Sequence, residues 1–401
     1  MKILITTDLY TTETNGVVTS VRNLSNELIK KGHDVRILTF SENAHSRKED
    51  NVYYIKSMPL AVYPNVRMPF RTTNRHRLMK EIIEWNPDVI HSQCEFFSLP
   101  FANRIARITH APIVHTYHTL YEQYVTYLFP SRRVGHFVVR TASKSRLKNV
   151  DTVIAPTHKV EDALHGYGIE NKISVVPSGI NLEQHKKRIT EEERREKRRS
   201  LGFSDDHIVL INLGRLGTEK NLDELLVFFA KVRKTKSNLR FLIVGDGPAR
   251  ADLEAHAKEL GVENDVVFTG MVKPIEVQEY YQLGDVFVSA STSETQGLTY
   301  IEAEANGLPL LCRRDDCLKD VIEQGENGYE YKDEEDFLDC IDRITNDTEW
   351  REEAGKRSEE IAATFDKETF AESIEKIYKD ILDHNEIEDF SFWNDWSEAK
   401  K

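Results

Sequence analysis

Short β-rich runs alternate with helix-length amphipathic segments along most of the chain, and that alternation constrains the fold more than any other feature. KILITT, DVRILTF, PDVIHS, PIVHTY, DTVIAPT and KISVVPSG follow one another, with helical patterns over 17–31 and 74–85 between them. Runs too short for helices, each followed by an amphipathic stretch, are the pattern of βαβ units around a parallel sheet. The pattern breaks over 183–200, EQHKKRITEEERREKRRS, which carries no apolar face and reads as a solvated linker and helix. It restarts with HIVLINLG, RFLIVGDG, DVVFTG, DVFVSA and LPLLC. The expected class is α/β, with two doubly wound, Rossmann-like parallel-sheet domains over 1–182 and 183–365. A C-terminal helix and tail over 366–401 is expected to pack back on the first domain. Parallel sheets bind ligands beyond the carboxyl ends of their strands, so the site is expected in the cleft between the two domains, built from strand-end loops.

A chain of 401 residues can bury two such cores. Its formal net charge of −13 leaves no general field to attract a nucleic-acid backbone, so any basic surface has to be local. Cys94, Cys312, Cys317 and Cys340 fall in no metal-ligand spacing and are expected as reduced, mostly buried thiols. MKILITTDLY alternates like a strand and does not resemble a signal peptide. No run approaches the ~20 apolar residues of a membrane-spanning helix. A cytoplasmic protein able to lie on the inner face of the cell membrane is expected. The tail adds Phe390, Phe392, Trp393 and Trp396, read as packing residues with a membrane or partner contact as the alternative.

The strand-end loops hold features that suit phosphate. Gly16 opens a helix after the first strand, offering backbone N–H groups and a positive helix end to an anion. In NLGRLGTEKN, Arg215 and Lys220 flank the small residues Gly217 and Thr218, which suits a diphosphate. VGDGPAR invites comparison with a dinucleotide fingerprint, but Arg250 stands where the third glycine is needed, which leaves Gly245 and Gly247 as a tight turn. No D-x-D occurs, so no carboxylate pair for a metal under a diphosphate is apparent, and no metal or resident cofactor is expected.

DVFVSASTSETQGLTYIEAEANGLPLL places Glu294 in a loop and Glu302 on the helix that follows Gly297. Gly297 lets backbone approach a ligand and starts a helix whose dipole favours phosphate. Glu302, further along that helix, suits a ribose diol. The plain alternative is two helix-start acids favoured by the dipole.

Glu294 to Glu302 with TQGL inside, GRLGTEKN, VVPSGIN at 175–181, GDGP and NGLP together resemble the retaining glycosyltransferase family 4, of GT-B fold, over nearly the whole chain. The resemblance implies transfer of a sugar from a nucleotide sugar with retention of anomeric configuration and without an essential metal. It implies that Glu294 contacts the donor sugar within Thr295, Gln296, Gly297 and Leu298, that Glu302 holds the ribose, and that Arg215 and Lys220 hold the diphosphate. Gly245 and Asp246 of GDGP belong to the same implied donor site, the backbone near Val272 meets the base, and the Gly16 loop and His118 complete it. His118 follows the strand PIVHTY, where an imidazole can bond a sugar hydroxyl or stabilise transition-state charge, while His115 lies within the strand.

Residues 123–150 carry six cations, at 132, 133, 140, 144, 146 and 148, and no acid. Tyr124, Tyr127, Leu128, Phe129, Phe137, Val138 and Val139 interleave with them. Such a stretch reads as a surface for anionic lipid, with Tyr124, Arg132, Arg133, Arg140 and Lys144 as the membrane and acceptor residues. HTYHTLYEQYVTYL also resembles the diacylglycerol glucosyltransferases of Gram-positive bacteria. The expected function is transfer of a hexose, glucose foremost, from a UDP-sugar to a diacylglycerol or glycosyl-diacylglycerol. The alternatives are the same donor chemistry on a soluble sugar, polyol or protein, and an inactive membrane-bound adaptor.

Overall fold

The computed structural model describes residues 1–10, 15–43, 45–59, 67–70, 72–124 and 131–398, with side chains described throughout these ranges except at 123, 124, 132 and 385–398. Two units emerge: Met1–Gly179 together with the segment from Lys367 onward, and Ile180–Asp366.

The sheet of the first unit is built from β1 (Lys2–Thr6), β2 (Asp34–Ser41), β3 (Arg47–Glu49), β4 (Val52–Pro59), β5 (Arg67–Pro69), β6 (Val89–Ser92), β7 (Ile113–Thr116), β8 (Thr152–Ala155) and β9 (Lys172–Val175). They lie in the order β3-β4-β2-β1-β6-β7-β8-β9, with β5 on β4. All pairs are parallel except β3–β4 and β4–β5, antiparallel edges that the βα alternation does not foretell. The β3–β4 turn is closed by Asp50 and Asn51, and Asp50 sits at φ 49°, the left-handed backbone that a two-residue hairpin loop requires.

Successive side chains of a strand point to opposite faces, and both faces here are covered. Leu4, Leu38 and Ile90 enter one core with Ile82, Leu99 and Ile105. Ile3, Ile5, Ile37 and Val89 enter the other, against Val21, Leu24 and Leu28 of the helix Gly16–Lys30. Phe370, Ile374 and Tyr378 of the last helix, Lys367–Glu398, fill that same core.

The second sheet comprises β10 (Ile208–Leu213), β11 (Leu239–Val244), β12 (Val266–Phe268), β13 (Val286–Ser289), β14 (Leu310–Arg313) and β15 (Gly328–Tyr331), all parallel, in the order β12-β11-β10-β13-β14-β15. The unit is closed where the chain enters and leaves it. The Ile180 N–H donates to the Phe365 carbonyl at 2.9 Å, and Ile180 bridges Asp366.

The charged stretch 183–200 contains the expected helix and is mostly exposed, but it is also docked at one face. The helix Glu191–Ser200 opens with a reciprocal cap between Thr190 and Glu193. Arg194 and Arg198 then both reach Asp285, at 2.7 and 2.5 Å. Arg198 is only 4% exposed. An apolar face is unnecessary because ion pairs dock the helix. In both sheets the strand order reverses, between β1 and β6 and between β10 and β13, and ligands of such sheets bind beyond these switch points.

Candidate active site

At the second switch point the loops leaving β10 and β13 meet. Lys220 Nζ stands 2.5 Å from Glu294 Oε1, and Ser293 Oγ donates to the Glu219 carbonyl at 3.2 Å. Asn212 ties the strands beneath by donating to the Val288 carbonyl at 2.8 Å. Arg215 is exposed and paired with the nearly buried carboxylate of Glu219, a residue the sequence reading passed over.

Glycines set how close these loops run. A Cβ on Gly245, at φ 129°, would fall 1.9 Å from the Gly214 carbonyl oxygen. The backbones of the β10 and β11 loops therefore touch where a side chain cannot fit. Asp246 accepts from the Gly247 N–H at 2.7 Å and pairs with Arg250 at 3.0 Å; the Gly247 bond chiefly, with Arg250, holds its carboxyl below the usual range. Gly297, at φ 75°, precedes the helix Leu298–Ala305, and a side chain there would meet the Tyr300 ring at 2.4 Å. Thr295 and Leu298 are half-buried, and Gln296 is buried. Val272 is partly buried beside the core that holds Tyr281, Tyr300 and Ile301.

Glu302 lies on that helix, partly buried. Burial pushes its carboxyl up to about 7, opposed by the Tyr281 hydroxyl, which donates to Oε2 at 2.9 Å. Asn306 donates to the Glu302 carbonyl at 2.8 Å and bonds His185 Nδ1 at 2.9 Å. Tyr281 carries no mark in the sequence, because contact with Glu302 is what gives it a role, whereas Asn306 belongs to the NGLP motif.

In the first unit the loops after β1, β6 and β7 gather a second polar cluster. His118 Nε2 bonds Gln93 Oε1 at 2.7 Å, which fixes the ring proton on Nε2. Burial lowers this imidazole to about 4, with Glu95 opposing and His115 assisting, so it is neutral near pH 7. Glu95 faces His115 Nε2 at 3.2 Å and accepts from the Tyr121 hydroxyl at 2.6 Å. Although burial opposes its charge, the His115 contact holds its carboxyl below the ordinary range. Asp8, raised by burial, caps the helix Ser98–Thr109 by accepting from Ser98 N–H at 2.6 Å. Gln93 and Glu95 directly follow β6 at the switch point, and strand-end position was the signal that could have found them. Gly16 opens its helix behind Asn15, whose side chain accepts from Val18 N–H at 2.8 Å; residues 11–14 lie outside the described residues.

The basic stretch forms the helix Arg132–Leu147, which contains no acid. Val134, Phe137 and Val138 are 52, 70 and 40% exposed, flanked by exposed Arg133, Arg140 and Lys144. Tyr127, Leu128 and Phe129 lie outside the described residues, as do the side chains of Tyr124, Arg132, Phe390, Phe392, Trp393 and Trp396. Among the described residues no helix is long and apolar enough to cross a membrane.

Two family models match in succession, Glycosyltransferase Family 4 over residues 14–184 and Glycosyl transferases group 1 over 193–361. An alpha-monoglucosyldiacylglycerol synthase of Streptococcus pneumoniae is 36% identical over 85% of this chain and 77% of its own. A protein of the same description from Acholeplasma laidlawii is 32% identical over 96% of this chain and 98% of its own. Among solved structures, HepE of Anabaena in complex with UDP and glucose matches with a TM-score of 0.74 at 17% identity, over 95% of this chain and 100% of that one. A sucrose-phosphate synthase of Thermosynechococcus elongatus matches with 0.75 at 21%, over 96% and 99%. With paired parallel sheets of GT-B type and relatives matched over most of their length, the chain belongs to glycosyltransferase family 4 and is a glycosyltransferase.

Proposed function

We propose that the protein transfers glucose, with retention and without a metal, from UDP-glucose to diacylglycerol at an anionic membrane surface. The relatives named for monoglucosyldiacylglycerol synthesis support the acceptor, and the neighbour holding UDP and glucose supports the donor. The observation that carries the reading is the outer face of the helix Arg132–Leu147, where exposed Val134, Phe137 and Val138 stand among cations with no acid on the helix. A water-facing helix has no need of such a face, whereas a membrane interface takes both halves of it.

In this reading Lys220, Arg215 and the N-terminus of Leu298–Ala305 meet the diphosphate, and Glu302 accepts from the ribose. The backbone beside Val272 meets the base, while Gly245 and Asp246 shape the adjoining loop. The bond from the sugar's anomeric carbon to the diphosphate breaks, its electron pair leaving with the diphosphate. The acceptor hydroxyl bonds the same face of that carbon, and its proton passes to the departing phosphate oxygen. Glu294 orients the sugar, and neutral His118, held by Gln93, bonds a sugar hydroxyl.

Radiolabelled UDP-glucose with diacylglycerol in phosphatidylglycerol vesicles tests this. An α-linked glucolipid is expected. Sugar transferred only to soluble acceptors, or a β-linked product, would overturn the reading.

A further inference from the structure

Between exposed residues of the helix Arg132–Leu147 and Tyr167 lies a groove of about 430 Å³, lined by Phe137, Arg140, Thr141, Lys144, Ser145 and Tyr167. Its lining residues supply two cations, three hydroxyls and two aromatic rings and no acid, while Glu122 lines the adjoining cavity that shares Phe137, Arg140 and Tyr167. The cations converge. Arg140 Nη2 and Lys144 Nζ lie 3.5 and 3.8 Å from the point where a Cβ on Gly168 would stand, and Gly168 is held at φ 75°. Arg140 is also anchored, its Nε donating to the Tyr167 carbonyl at 3.1 Å, so its fork is oriented before anything binds.

We infer that this groove is a discrete site for the phosphodiester of one anionic phospholipid, with Arg140 and Lys144 on the phosphate oxygens and Ser145 within the lining. The inference rests on the membrane reading above and sharpens it from general attraction to recognition of a headgroup. A lipid, rather than free phosphate, fits because Phe137 belongs both to the groove and to the exposed apolar face with Val134 and Val138. A phosphate seated here has apolar surface beside it for the acyl chains. The present counterion of Lys144 is Glu170, at 3.5 Å and with both side chains mostly exposed. Such a pair is worth little and yields readily to a stronger ligand.

General attraction and a built site respond differently to substitution. Attraction at roughly 1 kcal/mol per cation means about thirty-fold weaker binding when any two exposed cations are removed, and no change when arginine becomes lysine. A site with an oriented fork loses at least about ten-fold on Arg140→Lys, because the charge-assisted bonds go while the charge stays. Glu170→Gln should tighten binding by removing the competing carboxylate.

The test is co-sedimentation of the full chain with phosphatidylglycerol vesicles and with phosphatidylcholine vesicles, for wild type, Arg140→Lys, Glu170→Gln, Arg140→Gln/Lys144→Gln and the control Arg133→Gln/Lys148→Gln. All substituted side chains are exposed, so the fold should be retained, and circular dichroism checks it. Weaker binding by Arg140→Lys, tighter binding by Glu170→Gln, and a groove pair costlier than the control pair are expected, with inorganic phosphate competing only weakly. Wild-type binding by Arg140→Lys and equal losses in the two pairs would overturn the site while leaving membrane docking intact. Failure of the wild type to sediment with either vesicle would overturn both.

Discussion

Lys220 and Glu294 share an ion pair of 2.5 Å across loops that leave neighbouring strands of the second sheet. A cation so placed screens the Glu294 carboxylate and, in the function proposed above, is at hand for the leaving diphosphate. Replacing Lys220 by Ala should lower kcat by about 10²–10³ while changing KM for UDP-glucose far less, since its charge is needed most as the bond breaks. Arg215→Ala should cost less, because Arg215 is exposed and already held by Glu219. Steady-state kinetics with and without excess EDTA check both effects. Wild-type turnover by Lys220→Ala in EDTA would end the metal-free account of the leaving group.

Glu302 predicts a pH dependence. Its carboxyl is raised from 4.5 to about 7 in the folded chain, so the protonated form favours folding, and this contribution is full below about 4.5 and lost as pH rises through 7. A ribose needs the ionised form as acceptor, so donor affinity should run the opposite way and rise between pH 6 and 8. Glu302→Gln should remove that rise and weaken UDP-glucose binding about ten- to a hundred-fold at pH 8. Calorimetric titration across pH reads both. A flat wild-type profile would mean that Glu302 does not face the donor.

Gly245→Ala should destabilise the second unit by about 2–4 kcal/mol, from overpacking against the Gly214 carbonyl and a backbone angle unsuited to alanine. Urea unfolding measures it; an unchanged midpoint would show that the two loops can part without cost.

Asp285→Asn tests the docking of the charged helix. Asp285 accepts from Arg194, Arg198 and the Val209 N–H at 2.7, 2.5 and 2.7 Å. Neutralising it leaves the buried guanidinium of Arg198 without its counter-charge, at about 2–3 kcal/mol given partial exposure. Proteolysis within 186–200 should quicken in parallel, and unchanged cleavage would place the anchoring elsewhere.

What the sequence declared and what it concealed follow physical lines. Buried parallel strands must be apolar along their length, so β1, β6, β7, β8, β10, β11 and β13 stood out, and their carboxyl ends directed attention to Lys220, Glu294 and His118. The short edges β3 and β5 bury little and left no such trace. The helix Glu191–Ser200 was foreseen as exposed, but its docking was not, because that depends on Asp285, far along the chain and invisible to any periodicity. Tyr281 was missed for a related reason, being ordinary until the fold brings Glu302 within 2.9 Å, whereas Gln93 and Glu95 stood at a strand end that could have marked them.

The backbone link between Ile180 and Phe365–Asp366 makes the second unit a cassette. Met1–Gly179 and the helix Lys367–Glu398 belong to the first unit, and everything between Ile180 and Asp366 enters and leaves at one stitched point. A segment whose ends its own hydrogen bonds hold together can be inserted, removed or exchanged without reconnecting the host. The half of the molecule carrying Lys220, Glu294 and Glu302 is thus a single insertion in the chain, one piece that can be exchanged across a single pair of junctions.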